Sequence, residues 1–310
     1  MKLSAPFIQL PLLYDAPRLA AEIEALGEGV WRDHPAKFPG NSMLPLVAAN
    51  GNPADERFAG RMAPTPELEA CPYLMQVMES LGATLGRSRL MRLEGQAEVT
   101  PHTDQGYYWA KRVRIHVPIV TQPTVRFECG DAAIHMAEGE CWIFDTWRNH
   151  RVLNDSNVRR IHLVADTVGG GRFWQNVERG RKHDTPNPAF APTLIPFDPA
   201  RRAQLACEKF NLPKVMSPWE IRCHFEDLFN DTPEQPGRAE ALAQSLQFTR
   251  DWHGLWSEYG DSGEGVPKYR DALQRFLDAL PADVDRILMK NQTQWFTGMA
   301  AWIAKPAIGL

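Results

Sequence analysis

Two histidines, an aspartate and an arginine form the most informative pattern in this sequence. His102 and Asp104 lie in one short segment, Pro101-His102-Thr103-Asp104, and they are followed after 46 further residues by His150 and after another ten by Arg160. Two imidazoles and one carboxylate can occupy one triangular face of an Fe(II) ion, which leaves three positions for a co-substrate and dioxygen. A guanidinium beside such a metal suits the distal carboxylate of 2-oxoglutarate. The pattern therefore predicts a ferrous oxygenase site.

The spacing also indicates how these residues must be held. In a β-strand, alternate side chains point to the same face, so one strand segment can supply both His102 and Asp104. We expect His150 to come from a strand that lies next to this segment in space. Arg160 begins an apolar run that continues to Asp166 and is predicted to be a strand.

Short apolar runs recur from Gly86 onward, separated by turns rich in Gly, Asn and Asp. The predicted strands are Arg89–Leu93, Val113–Val120, Val125–Phe127, Ala133–Met136, Cys141–Phe144 and Ile161–Val164. Short, evenly spaced strands of this kind are typical of a β-sandwich or jelly roll rather than of a βαβ sheet. We predict a mainly β core.

Helices are predicted on both sides of this core. Asp15 followed by Pro17 indicates a helix start, and a second helix is predicted from Leu74 to Leu81. The Gly-, Pro- and Asn-rich stretch from Val30 to Pro64 is interpreted as loops with short strands.

The last third of the chain has a helical pattern. Ser217 and Thr232 are each followed by Pro and, three residues on, by Glu or Gln, which predicts two capped helix starts. Further apolar helical spacing occurs around residues 242–256 and 273–280. We therefore predict a jelly-roll domain over residues 1–180, a Pro-rich linker over 181–200 and an α-helical region over 201–310.

Other polar side chains lie close to the proposed ligands. Arg114 and His116 alternate with apolar residues of the strand Val113–Val120, so they either line a cavity or face solvent. Four residues are candidates for substrate contact, or alternatively only shape the end of the barrel: Tyr107, Tyr108, Trp109 and Arg148.

Composition excludes several classes of protein. The chain has 310 residues, 44% of them hydrophobic and 23% charged, which is ordinary for a folded globular protein. With 34 Lys and Arg against 38 Asp and Glu, the formal charge is −4, so we expect no nucleic-acid partner. Five cysteines without CxxC spacing favour a reducing, cytoplasmic setting, and the sequence has no apolar stretch long enough to span a membrane.

These motifs resemble the aspartyl/asparaginyl β-hydroxylase family of Fe(II)/2-oxoglutarate dioxygenases, over about residues 31–174. The resemblance is carried by Pro101-His102-Thr-Asp104, Arg114-Ile-His116-Val-Pro118, Gly139-Glu140-Cys-Trp-Ile-Phe-Asp145, His150 and Arg160-Ile-His162-Leu-Val. It implies a double-stranded β-helix (cupin-like) fold, iron ligands at His102 and His150, and 2-oxoglutarate contacts from Arg160, Arg114 and His116. The sequence departs from the animal members at Asp104, an acidic ligand that they lack but the related bacterial proline hydroxylases have. Met91 also stands where the animal members have a serine.

The resemblance implies hydroxylation of an unactivated C–H bond with Fe(II), 2-oxoglutarate and O2, releasing succinate and CO2. The substrate is expected to be an aspartyl- or asparaginyl-type residue or a related amino acid, in a small molecule or peptide. Two alternatives stay open: a free amino-acid (proline-type) hydroxylase, and a cupin-like metal- or ligand-binding module without turnover. The C-terminal helices are a possible homodimer interface.

Overall fold

The structure, a computed structural model, describes residues 1–35 and 37–309. These residues form two compact units. The first contains residues 1–104 and 111–211, and the second contains residues 105–110 and 212–310. The predicted boundaries at residues 180 and 200, and the homodimer through the C-terminal helices, stay predictions.

The strands lie in the first unit. In chain order they are β1 (Phe7–Tyr14), β2 (Arg32–Asp33), β3 (Asn41–Ala49), β4 (Met62–Pro64), β5 (Thr84–Leu93), β6 (Glu98–His102), β7 (Val113–Val120), β8 (Val125–Cys129), β9 (Ala132–Ile134), β10 (Glu140–Phe144), β11 (His150–Asn154), β12 (Arg160–Gly169), β13 (Arg181–Lys182) and β14 (Thr193–Ile195).

The helices belong to both units. They are α1 (Ala16–Ala25), α2 (Pro66–Glu69), α3 (Pro72–Ser80) and α5 (Gly171–Glu178) in the first unit, and α4 (Tyr107–Ala110), α6 (Pro218–Asn230), α7 (Arg238–Tyr259), α8 (Val266–Asp278) and α9 (Trp295–Met299) in the second. Single 3-10 turns cover Glu28–Val30, Gly263–Gly265 and Val284–Arg286, and a π-helical turn covers Ala300–Ala304.

The strands pair into a large and a small sheet. The large sheet has the order β13-β1-β10-β7-β12-β5-β3-β2, with β14 beside β1 and β4 beside β3. The small sheet has the order β6-β11-β8-β9. Every pairing is antiparallel except that of β14 with β1. This confirms the predicted jelly-roll (double-stranded β-helix) core, with helices both before it and after it in the sequence.

The two faces of the large sheet bury different cores. Val113, Ile115, Val117 and Ile119 of β7 join one apolar cluster with residues of α1 and α3. On the other face, aromatic residues of the large sheet, such as Phe144, pack against small-sheet residues in a second cluster. Because β7 is covered on both faces, the alternate residues Arg114 and His116 are buried between the sheets and not solvent-facing.

Two strands were not recognised at full length from the sequence. β1 contains Pro11 and β3 contains Pro45, and proline normally argues against an internal strand because it lacks an N–H donor. In both strands the pairing register shifts at the proline, between Leu10 and Leu13 in β1 and between Pro45 and Val47 in β3. The missing donor therefore falls at a bulge. The prediction of loops with short strands over 30–64 is corrected by the nine-residue, mostly buried β3.

The helical predictions were mostly confirmed. Asp15 caps α1 by accepting from the Arg18 backbone N–H, and Ser217 caps α6 by accepting from that of Glu220. Thr232 does not cap a helix. Its hydroxyl donates to the Leu228 carbonyl of the preceding helix, and α7 begins only after Gly237.

Aromatic rings form the centre of the helical unit. Phe225 contacts Phe248, Phe276 and Trp295, and Trp252 packs against Tyr269 with the rings tilted and their centroids 4.6 Å apart. Within residues 1–35 and 37–309, no helix combines the length and apolar character that crossing a membrane requires.

Candidate metal centre and co-substrate cavity

His102 and His150 are brought together by strand pairing in the small sheet. His102 ends β6, His150 begins β11, and the two are direct partners in the antiparallel register. Their ring centroids lie 4.2 Å apart. The expectation that the second histidine comes from a neighbouring strand is therefore confirmed.

Asp104 reaches the same point by a different route from the one predicted. β6 ends at His102, so strand alternation does not place the aspartate. Asp104 instead lies in the following loop, where its backbone N–H donates to the Thr146 carbonyl at 3.1 Å. Its carboxylate Oδ2 is 4.0 Å from His150 Nε2. One ligand atom from each of His102, Asp104 and His150 lies within 4.8 Å of the others.

The hydrogen bonds of both imidazoles prepare them to bind a metal. His102 Nδ1 lies 2.8 Å from the Thr100 carbonyl, and His150 Nδ1 lies 2.9 Å from the Arg148 carbonyl. A carbonyl only accepts, so Nδ1 carries the proton and Nε2 presents its lone pair. Burial lowers the pKa of His150 to about 4, against the opposing effect of the Asp104 charge. Two imidazoles and one carboxylate fit a ferrous ion.

Arg114 holds the carboxylate of this set. Its Nη1 donates to Asp104 Oδ2 at 3.0 Å, and its Nε donates to Asp166 Oδ1 at 2.8 Å. Burial raises the pKa of Asp166, but the charge and hydrogen bond of Arg114, with further charges from Arg87 and Arg89, lower it more, so the net shift is downward. The positive charge of Arg114 is thus shared between two carboxylates.

Arg160 is in a different electrostatic state. It is 3% exposed, its Nη2 donates to His162 Nδ1 at 2.6 Å, and its Nε has no partner among the described residues. No carboxylate in that part of the chain pairs with it. Burial without a counter-charge lowers its pKa to about 9. A buried cation in this state favours binding of an anion.

Both histidines of the ligand set, Arg114 and Arg160 line one cavity of about 110 Å³ in the first unit. The lining comes from both sheets and from the segment before β3: His34, Phe38, Asn41, Arg89, Met91, Val99, His102, Arg114, His116, Phe127, Phe144, His150, Val152, Arg160 and Val164. His116 lies edge-on to Phe127 and Phe144, with centroid distances of 5.2 and 5.4 Å. The cavity is thus lined by aromatic rings beside His116 as well as by polar side chains.

Arg148 is not among the residues that line this cavity. Its Nε pairs with Asp145 Oδ2 at 3.1 Å and its side chain is 44% exposed. Tyr107, Tyr108 and Trp109 belong to the second unit, where the Tyr107 hydroxyl donates to Glu220 Oε1 at 2.6 Å. The substrate contacts expected of these four residues stay predictions.

Two functional candidates were not selected from the sequence, His162 and Asp166. Both lie on β12, at even spacing from Arg160, and therefore on the same face of the strand. That spacing was the available signal. The sequence contained no comparable sign that His34 and Phe38 line the cavity, because they lie in irregular chain before β3.

Comparison with known proteins agrees with this geometry. Residues 51–169 match the aspartyl/asparaginyl beta-hydroxylase family, and the matched segment contains the ligand set, Arg114, His116 and Arg160. This match confirms the resemblance seen in the motifs. No curated protein matches the chain.

Several solved structures resemble part of the chain at low identity. An oxidoreductase of the 2OG-Fe(II) oxygenase family from Burkholderia pseudomallei is 15% identical, with a TM-score of 0.37, over 54% of this chain and 87% of its own. A prolyl-4-hydroxylase from Pseudomonas putida is 15% identical, with a TM-score of 0.38, over 53% and 92%. A prolyl hydroxylase from Trichoplax adhaerens is 12% identical, with a TM-score of 0.39, over 56% and 87%.

Proposed function

We propose that the chain is an Fe(II)- and 2-oxoglutarate-dependent hydroxylase, because residues 51–169 match the aspartyl/asparaginyl beta-hydroxylase family. The substrate we propose is an aspartyl- or asparaginyl-type residue or a related amino acid. One observation carries the proposal: His102, Asp104 and His150 present ligand atoms within 4.8 Å of one another, and both histidines line the same cavity as Arg160, a cation with no carboxylate partner among the described residues.

The iron and the co-substrate would be held by different residues. His102, Asp104 and His150 would hold the iron, and Arg160 would bind the distal carboxylate of 2-oxoglutarate through its guanidinium fork. When bound with 2-oxoglutarate and O2, ferrous iron supplies oxidative decarboxylation to succinate and CO2 and hydroxylation of an unactivated C–H bond.

The protein's own contribution is electrostatic and steric. Arg114 orients the Asp104 carboxylate through a hydrogen bond, and the two Nδ1–H bonds to backbone carbonyls keep both histidine rings in the tautomer that binds a metal. Phe127, Phe144 and Val152 line the cavity with apolar surface. Such a wall limits the water that reaches a reactive centre.

A free amino acid of the proline type is the second candidate substrate. Asp104 favours it, because the family resemblance associates an acidic third ligand with the bacterial proline hydroxylases and not with the animal enzymes. Parallel assays with free amino acids and with Asp- or Asn-containing peptides separate the two candidates, since only a true substrate gains one oxygen atom by mass spectrometry.

The decisive experiment is an anaerobic titration of the protein with Fe(II) and 2-oxoglutarate, followed by a screen of amino acids, peptides and metabolites for O2-dependent succinate. We expect 2-oxoglutarate to bind only after the metal and succinate release to rise with the substrate. A protein that binds Fe(II) but consumes no 2-oxoglutarate, with or without added substrate, would be a metal-binding module and not a hydroxylase.

The predicted substrate contacts are tested in the same assay. Alanine variants of Tyr107, Tyr108, Trp109 and Arg148 should raise the substrate KM while leaving the 2-oxoglutarate KM unchanged. An unchanged substrate KM in all four would remove them from the substrate site.

A further inference from the structure

We propose that His162 is the positioning residue for Arg160: it fixes the guanidinium with a neutral acceptor, so that the full positive charge stays available to the distal carboxylate of a 2-oxo diacid. This inference rests on the proposed function, because it concerns how that co-substrate is selected. His162 is not one of the described residues that line the cavity.

The contact between the two side chains is set by the strand. Arg160 and His162 are two residues apart on β12 and share the face that points between the sheets. Arg160 Nη2 lies 2.6 Å from His162 Nδ1, and the exposed fraction of His162 is 2%. His162 is flanked in the sheet by its register partners Pro118 on β7 and Met91 on β5. The imidazole is thus enclosed and holds one orientation.

The hydrogen bond fixes the protonation of His162. A guanidinium has donors and no acceptor, so Nδ1 must accept and the proton of the neutral ring lies on Nε2. Burial, together with the positive charge of Arg160 and the neighbouring His116 and His135, lowers the pKa of His162 well below its ordinary value. His116 Nδ1, 3.5 Å from the same nitrogen, can face it only as a donor. His162 is therefore a neutral acceptor.

Arg114 shows the effect of holding a guanidinium with carboxylates and not with a neutral imidazole. Its guanidinium is also fixed by hydrogen bonds, but both partners are carboxylates, Asp104 and Asp166. An acid at position 162 would orient Arg160 equally well and would cancel the charge that an incoming carboxylate needs. A neutral imidazole orients the donor fork without competing for it. The residue type at position 162 thereby decides whether Arg160 attracts the distal carboxylate of a 2-oxo diacid.

Three substitutions separate orientation from charge. In His162→Asn the side-chain oxygen can occupy the place of Nδ1 and keep the acceptor, His162→Leu removes it, and His162→Asp has the shape of Asn with a negative charge. Each Fe(II)-loaded variant is titrated anaerobically by calorimetry with 2-oxoglutarate and, separately, with pyruvate. Pyruvate has the same metal-binding 2-oxo acid group but no distal carboxylate, so it serves as the matched control ligand.

We expect the Kd for 2-oxoglutarate to rise less than about threefold in His162→Asn, about tenfold in His162→Leu and about 100-fold in His162→Asp. The Kd for pyruvate should stay within about twofold of wild type in all three. Rescue by Asn and failure of the isosteric Asp is a result that a merely structural role would not give, since the two have the same volume.

Equal binding of 2-oxoglutarate by the Asn and Asp variants overturns the inference, as does a loss of pyruvate affinity that parallels the loss for 2-oxoglutarate. If His162→Asp does not fold, the comparison of Leu with Asn decides: equal affinities contradict the positioning role. If wild-type protein binds Fe(II) but not 2-oxoglutarate, the proposed function itself fails, which is a separate result from either.

Discussion

Two buried arginines line the cavity, Arg114 at what we call the metal end and Arg160 at what we call the far end, and they differ in the charge of their partners. At the metal end, Arg114 is paired with both Asp104 and Asp166, so one guanidinium faces two carboxylates there. At the far end, Arg160 is buried beside a neutral imidazole with no carboxylate partner in the described chain. The two arginines are both buried and both on the inner face of the large sheet, yet only Arg114 is neutralised by carboxylates, which leaves the charge of Arg160 available to an anion.

Loss of a metal ligand should have the largest effect, because it removes the chemistry of the metal end entirely. In His150→Ala we expect Fe(II) affinity to fall more than about 100-fold, beyond what outer hydrogen-bond partners are worth, and succinate formation to drop to background. Iron binding by calorimetry and succinate release measure this. His135→Ala, at a histidine bonded to the Val125 carbonyl outside the cavity, is the matched control. Retained iron binding in His150→Ala would contradict the ligand assignment.

Removing the cation at the far end should affect the co-substrate and spare the metal. Arg160→Ala leaves the distal carboxylate unpaired, which costs about 2–5 kcal/mol, or about 30-fold to several thousandfold in 2-oxoglutarate KM. Iron affinity should be unchanged. The adjacent Arg159, half-exposed and paired with Glu28, provides the control variant Arg159→Ala. A near-normal co-substrate KM in Arg160→Ala would show that the far end is not the carboxylate site.

Disturbing the charge balance at the metal end should have a smaller effect than removing a ligand. Asp166→Asn keeps the shape but removes one of the two negative charges on Arg114, so we expect iron affinity and turnover to fall about 10- to 100-fold. Asp155→Asn makes the same change in an exposed ion pair with Arg126 and should change both by less than about twofold. Equal effects from the two variants would mean that the Asp166 pair contributes nothing specific to the metal end.

The neutral histidines of the far end predict a pH dependence of stability in the metal-free protein. Burial, reinforced by Arg160, lowers the pKa of His116 and of His162 well below the ordinary 6.5. Below about pH 6.5 the unfolded chain therefore binds protons that the folded chain does not, and the free energy of unfolding falls as pH decreases. His162→Asn removes one such group.

We expect the slope of unfolding free energy against pH to be shallower in His162→Asn by up to about 1.4 kcal/mol per pH unit between about pH 6.5 and pH 5. Urea unfolding of both proteins across this range measures the slope. Parallel curves for wild type and variant would show that His162 is not held neutral.

Most of the site was predictable because its chemistry depends on residue type and spacing. The residue types and spacing of His102, Asp104, His150 and Arg160 indicate one set in the sequence, and the alternation of β7 marks Arg114 and His116. The route of Asp104 was not predictable. β6 stops at His102, and the aspartate is held by the Thr146 carbonyl from a distant turn. Such a long-range hydrogen bond leaves no periodic trace in the sequence.

At three positions the fold differs from what the local sequence pattern predicts. Pro11 and Pro45 made β1 and β3 look like interrupted chain, because a lone sequence shows the missing N–H but not the bulge that makes it harmless. At Thr232 the local pattern matched a helix cap, yet the hydroxyl bonds backward to Leu228 and the next helix starts after Gly237. At the two prolines strand pairing overrode the local preference, whereas at Thr232 one local hydrogen bond replaced another.

The sequence by itself determined which atoms are available for chemistry and which face of each strand they occupy, since ligand types and two-residue alternation are local properties. Only the tertiary structure decided which partner each arginine has, and therefore whether its positive charge is neutralised. Arg114 pairs with Asp166, 52 residues away, whereas Arg160 has His162 as its partner and no carboxylate among residues 1–35 and 37–309. Electrostatic state depends on distances between strands that pair far apart in the chain, and those distances exist only once the sheets have formed.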